Sequence, residues 1–142
     1  MVQAVVPAAG VEELLDELTG ALPDVYGAVV LSTDGLVVAA SGELGPDYAE
    51  YAAAAAAGLH GLVQAVGRHS AAAVRQTVVE MEYALLVVLP VGPLAVLAVI
   101  FDGGPDFTAL GGQLAEFAER VGDRLLPYPP ETLALAGWAA GS

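Results

Sequence analysis

The stretch ALLVVLPVGPLAVLAVIF, residues 84–101, carries no charge at all, and its reading decides the fold. By length and hydropathy it is nearly a bilayer span. But Pro90, Gly92 and Pro93 sit at its centre, and its two halves are rich in Val, Ile and Leu. That pattern predicts two buried strands joined by a tight turn. Because both halves are almost continuously apolar, they are expected to be central strands covered on both faces.

Working outward, the segment before it, AAAVRQTVVEMEY, predicts one more strand. The three strands are placed near 72–81, 83–90 and 94–101. After them a helix begins at Asp106, with an apolar stripe of Phe107, Leu110, Leu114, Phe117, Val121 and Leu125. Its other face carries Glu116, Arg120, Asp123 and Arg124. The last residues, 127–142, are punctuated by Pro127, Pro129 and Pro130 and are expected to form a flexible tail behind a domain spanning 11–126.

Toward the N-terminus, VYGAVVLSTDGLVVAASG reads as a hairpin turning at Asp34-Gly35. Ahead of it, Val11, Leu14, Leu15, Leu18 and Leu22 recur at helical spacing, with Glu12, Glu13, Asp16 and Glu17 between them. The opening residues have no basic region, so no signal peptide is expected. The order is helix, two strands, helix, three strands, helix. The fold class is therefore mixed α/β in the α+β sense: a five-stranded antiparallel sheet with helices on both faces.

The helix between the hairpin and the last three strands is the unusual one. From Gly45-Pro46 it runs through YAAAAAAGLHGLVQAVG, residues 51–67, with no charge between Glu50 and Arg68. Its large side chains, Tyr48, Tyr51, Leu59, Leu62, Val63 and Val66, share one side and are assigned to the sheet. The opposite side then presents Glu50, Ala53, Ala54, Ala57, His60, Gly61 and Gln64. A patch of small uncharged residues on the surface of an acidic protein marks an interaction surface, most commonly with a second copy. The plainer alternative is that alanine is simply the best helix former. Arg75, Gln76 and Thr77 place polar groups on an edge strand, which either pairs with its symmetry mate or faces solvent.

Charge and composition exclude much. Against 17 acidic residues stand four arginines and no lysine, for a formal net charge of −13. Such a surface repels nucleic-acid backbones and anionic lipid, so neither is an expected partner. No Schiff-base lysine, P-loop lysine or cysteine nucleophile exists, and thiolate metal sites are ruled out with them.

Taken together, the hairpin GAVVLSTDGLVVAASG, the helix GLHGLVQAVGR and the strand VRQTVVEMEYALLVVL resemble the roadblock/dynein light chain family, above all the stand-alone bacterial members found in actinobacterial operons of the conservon type beside a small GTPase. The likeness spans residues 11 to about 126. It implies a profilin-like sandwich with the first and third helices on one face and the second on the other. It also implies a homodimer made by the third strand and second helix, here Val74–Met81 and Tyr48–Gly67, that binds a Ras-like GTPase without supplying catalytic groups. The six-alanine run, the missing lysines and the Pro-rich tail depart from the family pattern.

Candidate catalytic groups are weak. Ser32 and Asp34 belong to a hairpin turn, where both are expected anyway. His60 and His69 have poor spacing for a helical metal pair. Glu80 and Glu82 read as a solvated strand end, and Asp102 and Asp106 as turn plus helix cap. Arg68 or Arg75 as an arginine finger has nothing to favour it over a structural role. The expectation is a non-enzymatic scaffold without cofactor or metal, cytoplasmic, and recruited to membranes only through partners. The alternative is a small-molecule sensor of the GAF or PAS type, which needs a pocket with convergent polar groups.

Overall fold

The computed structural model of the protein describes residues 5–7, 10–103 and 107–127. The apolar stretch that opened the sequence folds as β5 (Ala84–Val91) and β6 (Ala95–Asp102), paired antiparallel from Ala84↔Asp102 to Val91↔Ala95. Gly92 turns the chain between them with a φ of 61°, a left-handed conformation that suits glycine. No helix among the described residues is long and apolar enough to cross a membrane.

Around this hairpin the sheet has the order β3-β2-β6-β5-β4, with β2 at Val25–Ser32, β3 at Val37–Gly42 and β4 at Thr77–Glu80. β6 lies in the middle, and the alternation of a strand divides its side chains between two cores. Ala95, Leu97, Val99 and Phe101 enter one, with Val11, Leu14, Leu15 and Leu18 of α1 (Val11–Ala21) and Leu114, Phe117 and Val121 of α3 (Phe107–Gly122). Val96, Ala98 and Ile100 enter the other, with Ala49, Ala52, Ala53 and Ala56 of α2 (Pro46–His69). The expected class, element order and layering therefore hold. On the first face Arg120 of α3 also reaches Glu17 of α1, an exposed pair that contributes little.

Three expectations need correction or addition. The first concerns how α2 sits. Sequence size alone turned Tyr48, Tyr51, Leu62 and Val66 toward the sheet and Ala53 and His60 outward. In the structure Ala53 is 0% and His60 5% exposed, while Tyr51 is 78%, Leu62 72% and Val66 66% exposed. The helix is rotated so that its alanines meet the sheet. The facing strand residues, Val29, Leu31, Leu86, Val88, Val96 and Ile100, already fill the layer with branched side chains. Methyl groups opposite them let the helix lie close without voids. The same closeness appears at Gly35, where an added Cβ would stand 3.5 Å from the Ala57 methyl.

The second correction is the edge strand. It spans Thr77–Glu80 and not 72–81, so Arg75 and Gln76 precede it. The chain instead folds back after α2, with Ala72 N–H donating to the Gly67 carbonyl at 2.8 Å and Ala71 at a φ of 53°. Gln76 leaves the edge to donate to the Gly111 carbonyl of α3 at 3.2 Å.

The addition is a two-stranded ribbon, β1 (Val5–Pro7) against β7 (Leu125–Pro127), paired from Val5↔Pro127 to Pro7↔Leu125. Leu125 thus belongs to a strand and not to the helical stripe. Phe107, as a side chain, Asp106 and the tail beyond Pro127 lie outside the described residues.

The rotation of α2 makes a clear prediction. Ala53→Leu should lower the unfolding free energy by about 1–3 kcal/mol, as overpacking does, read from urea denaturation. A neutral result would mean that this face of α2 looks to solvent.

Candidate partner interface

Proline at the start of α2, behind an extended Gly45, and Arg68 with His69 in its last turn give the helix orthodox ends. Between them the outward surface is built from what the sheet does not need. Tyr51, Leu62 and Val66 stand on it among exposed Ala54, Ala55, Gly58, Gly61 and Ala65. Tyr48 is also half exposed and leans its ring on Tyr26, with centroids 5.9 Å apart. All the charge lies at the ends: Asp47 and Glu50 at one, Arg68 and His69 at the other, each exposed.

The site residues named from sequence do not form one surface. Glu50, Ala54, Gly61 and Gln64 are exposed beside the apolar side chains, whereas Ala57 is half-buried against Gly35. Ala53 and His60 face the sheet. Arg75 is exposed in the connection to β4, and Thr77 opens the strand with its Oγ1 enclosed and unbonded among the described groups. Tyr51, Leu62 and Val66 were the residues missed. Their signal was present in outline: with Ala49, Ala52, Ala53 and Ala56 able to fill an inner face, large side chains become available for an outer one.

Among the described residues β4 pairs only with β5, which leaves its other edge open there. Its Thr77 and Val79 turn toward α2, since they sit across from Val88 and Leu86 of that core. Val78 points to the opposite face, where neither α1 nor α3 covers it, and is exposed together with Met81 and Tyr83 beyond the strand. An uncharged helix face and an open strand edge thus lie on neighbouring elements, both without cover among the described residues.

The remaining polar candidates stay apart. Ser32 donates to the Asp34 carboxylate, and its Oγ accepts from Leu36 N–H at 3.1 Å, bonds that close the hairpin turn. His60 is under α2 whereas His69 is exposed at its end. Glu80 and Glu82 line an open cleft with Tyr83 and Leu85. Ser32 and His60, the buried polar side chains among the described residues, lie in a turn and under a helix, not around one pocket. Among the described residues no three His, Asp or Glu side chains are grouped to hold a metal.

The model of the Roadblock/LC7 domain matches residues 11–101. A solved Roadblock/LC7 domain from Streptomyces avermitilis is 37% identical, with 78% of this chain and 92% of that one covered and a TM-score of 0.72. A second domain structure from that organism is 32% identical over 80% of this chain and 99% of the other, with a TM-score of 0.65. The gliding protein mglB from Thermus thermophilus shares the fold at 22% identity, with 87% and 98% covered and a TM-score of 0.70. No curated protein matches the chain.

His60 supplies a test of the inner face. Burial lowers its pKa below the ordinary 6.5, and its Nδ1 has no hydrogen-bond partner among the described residues. The folded state therefore prefers the neutral ring, and below about pH 6.5 the unfolded chain binds the extra proton more readily. Stability rises with pH wherever the unfolded state holds more protons, so this contribution is complete above the unfolded pKa and fades as pH falls through it. Melting temperatures of the wild type and His60→Leu, compared between about pH 7 and pH 5, should diverge, with the wild type losing ground at the acid end. A constant difference would mean that His60 titrates as it does in the unfolded chain.

Proposed function

The chain belongs to the Roadblock/LC7 domain family, and from that premise we propose that it is a non-enzymatic homodimeric scaffold that binds a small Ras-like GTPase and influences its nucleotide state. The observation that carries the reading is the outer face of α2, apolar and uncharged between Glu50 and Arg68 on a protein of net charge −13. A contiguous face of this kind marks a surface meant to be covered. The likeness to roadblock proteins implies how: the third strand of the sheet, here β4, pairs with its symmetry mate while the second helices pack on each other.

That arrangement answers what the single chain leaves open. Backbone groups along the free edge of β4 gain partners, and Tyr51, Leu62 and Val66 are removed from water at roughly 25 cal/mol per Å² of apolar area. A stable interface needs about 1,200–2,000 Å² in total, a scale that suits a helix of this length together with a strand. The GTPase then meets a surface made by two copies. No nucleophile or general base need come from the scaffold, because changing the position of a partner's own residues is enough to alter hydrolysis or exchange.

Two measurements test the reading. Light scattering should give a mass of two chains at micromolar concentration, and Leu62→Glu, which the fold tolerates at so exposed a position, should give one. Pull-down from native lysate, with a GTP analogue or GDP added, should retain a small GTPase in one nucleotide state in preference to the other. If an intact dimer retains none in either state, the scaffold reading fails.

A further inference from the structure

A second uncovered surface lies on the side of the sheet away from α2. We propose that the end of β4 and the turn after it form a docking cleft for an arginine-bearing, otherwise apolar segment of a partner protein. The homodimer reading is not needed for it.

The strand register places this cleft. Val78 and Glu80 sit across from Val87 and Leu85, whose side chains enter the core under α1 and α3. They therefore point to that side of the sheet, and both are exposed there. Leu85 contributes to the floor of a cleft of about 570 Å³ that Glu80, Met81, Glu82, Tyr83 and Gly103 also line. That volume lies within the range of ligand pockets, about 300–1,000 Å³. Two backbone bonds hold its shape: Met81 N–H donates to the Ala84 carbonyl and Gly103 N–H to the Tyr83 carbonyl, each at 2.8 Å. A cleft already held in shape loses little freedom on binding.

Apolar groups stand here where water would be expected to meet charge. Val78 is 43%, Met81 45% and Tyr83 78% exposed. Of the nine large apolar side chains exposed among the described residues, three thus fall within residues 78–83. The other six lie on α2 or at the tip of the β2–β3 hairpin. Clustering of this kind marks a surface that a partner covers.

Charge identifies the partner. Glu80 and Glu82 alternate with Met81 and Tyr83, and neither has an ion-pair partner among the described residues. Arg75 stands ahead of β4, at its other end. A neutral occupant would strip water from the carboxylates and return nothing. A cation returns an ion pair, and the exposed Tyr83 ring adds a face on which it can rest. Arginine suits both better than lysine, because its flat head pairs with a carboxylate and stacks on a ring. Apolar side chains of the same segment then meet Val78 and Met81, whose thioether adapts to irregular shapes. A metal ion fits poorly: the described residues group no three carboxylates or histidines, and calcium takes at least about six oxygens.

The test is to titrate a fluorescein-labelled peptide of alternating arginine and leucine into the full chain at physiological salt. Anisotropy gives the affinity, and amide NMR shifts give the place. Binding should move the amides of residues 80–85 and Gly103 and leave those of α2 unmoved. Exchanging the peptide's arginines for glutamates, or its leucines for serines, should weaken binding about tenfold or more. Glu80→Gln with Glu82→Gln should do the same, as should Tyr83→Ser. Glu12→Gln with Glu13→Gln, which removes as much charge from α1, should leave the affinity unchanged. Equal losses from the two glutamine pairs would mean general attraction to an acidic chain, and would overturn the cleft. So would a peptide that does not bind. If Tyr83→Ser lowers the mass seen by light scattering, a second copy covers the surface. If removing residues 128–142 shifts the amides of residues 80–85, the chain's own tail covers it. Either result overturns the partner segment.

Discussion

Strand β6 has no side that faces water, and the rest of the molecule follows from covering it. Seven consecutive residues, Ala95–Phe101, are buried, split by the pleat between two cores. One layer of helices would leave half of them wet. α1 and α3 cover one side with leucines, valines and Phe117, and α2 covers the other with methyl groups. Removing either layer would expose a row of Val, Leu, Ile and Phe, so the three helices and the central hairpin stand or fall together.

The two covering layers do this by different means. On the α1/α3 side the helices are amphipathic in the ordinary way, with acidic residues outward and large apolar ones inward. On the α2 side polarity does not distinguish the faces, because between Glu50 and Arg68 neither is charged. Size does. The inner face is small so that the helix can approach a sheet already crowded with branched side chains, and the outer face holds the large apolar groups. A surface normally reserved for charge is thereby apolar, and that inversion is the strongest functional signal in the chain.

How much of this could be read beforehand depends on which physical rule dominated locally. The hairpin at Asp34-Gly35, the turn at Gly92 and the stripe of α1 follow from turn chemistry and periodicity, and the sequence shows them plainly. The Roadblock/LC7 resemblance was legible too, from the order and spacing of apolar elements. The orientation of α2 was not, because the usual rule sends large apolar residues inward, and nothing local says that a neighbouring sheet has already used the space. Arg75 and Gln76 were assigned to a strand as the polar groups of a sheet edge, whereas Gln76 is held by a carbonyl in α3, thirty-five positions away. The β1–β7 ribbon, three residues a side with a proline in each, lies below what propensity can detect.

The division of α2 into an inner face fixed by the sheet and an outer face free of it separates two kinds of change over evolutionary time. A substitution among Ala49, Ala52, Ala53 or Ala56 alters the spacing of helix and sheet, and selection for a folded chain removes it. Substitutions at Tyr51, Leu62 or Val66 leave that spacing untouched. After a gene duplication, two copies could therefore drift apart in which surface they complement while keeping the same fold. On the proposed homodimer, a cell carrying several such chains could keep them from pairing with one another by changing a few outer side chains alone.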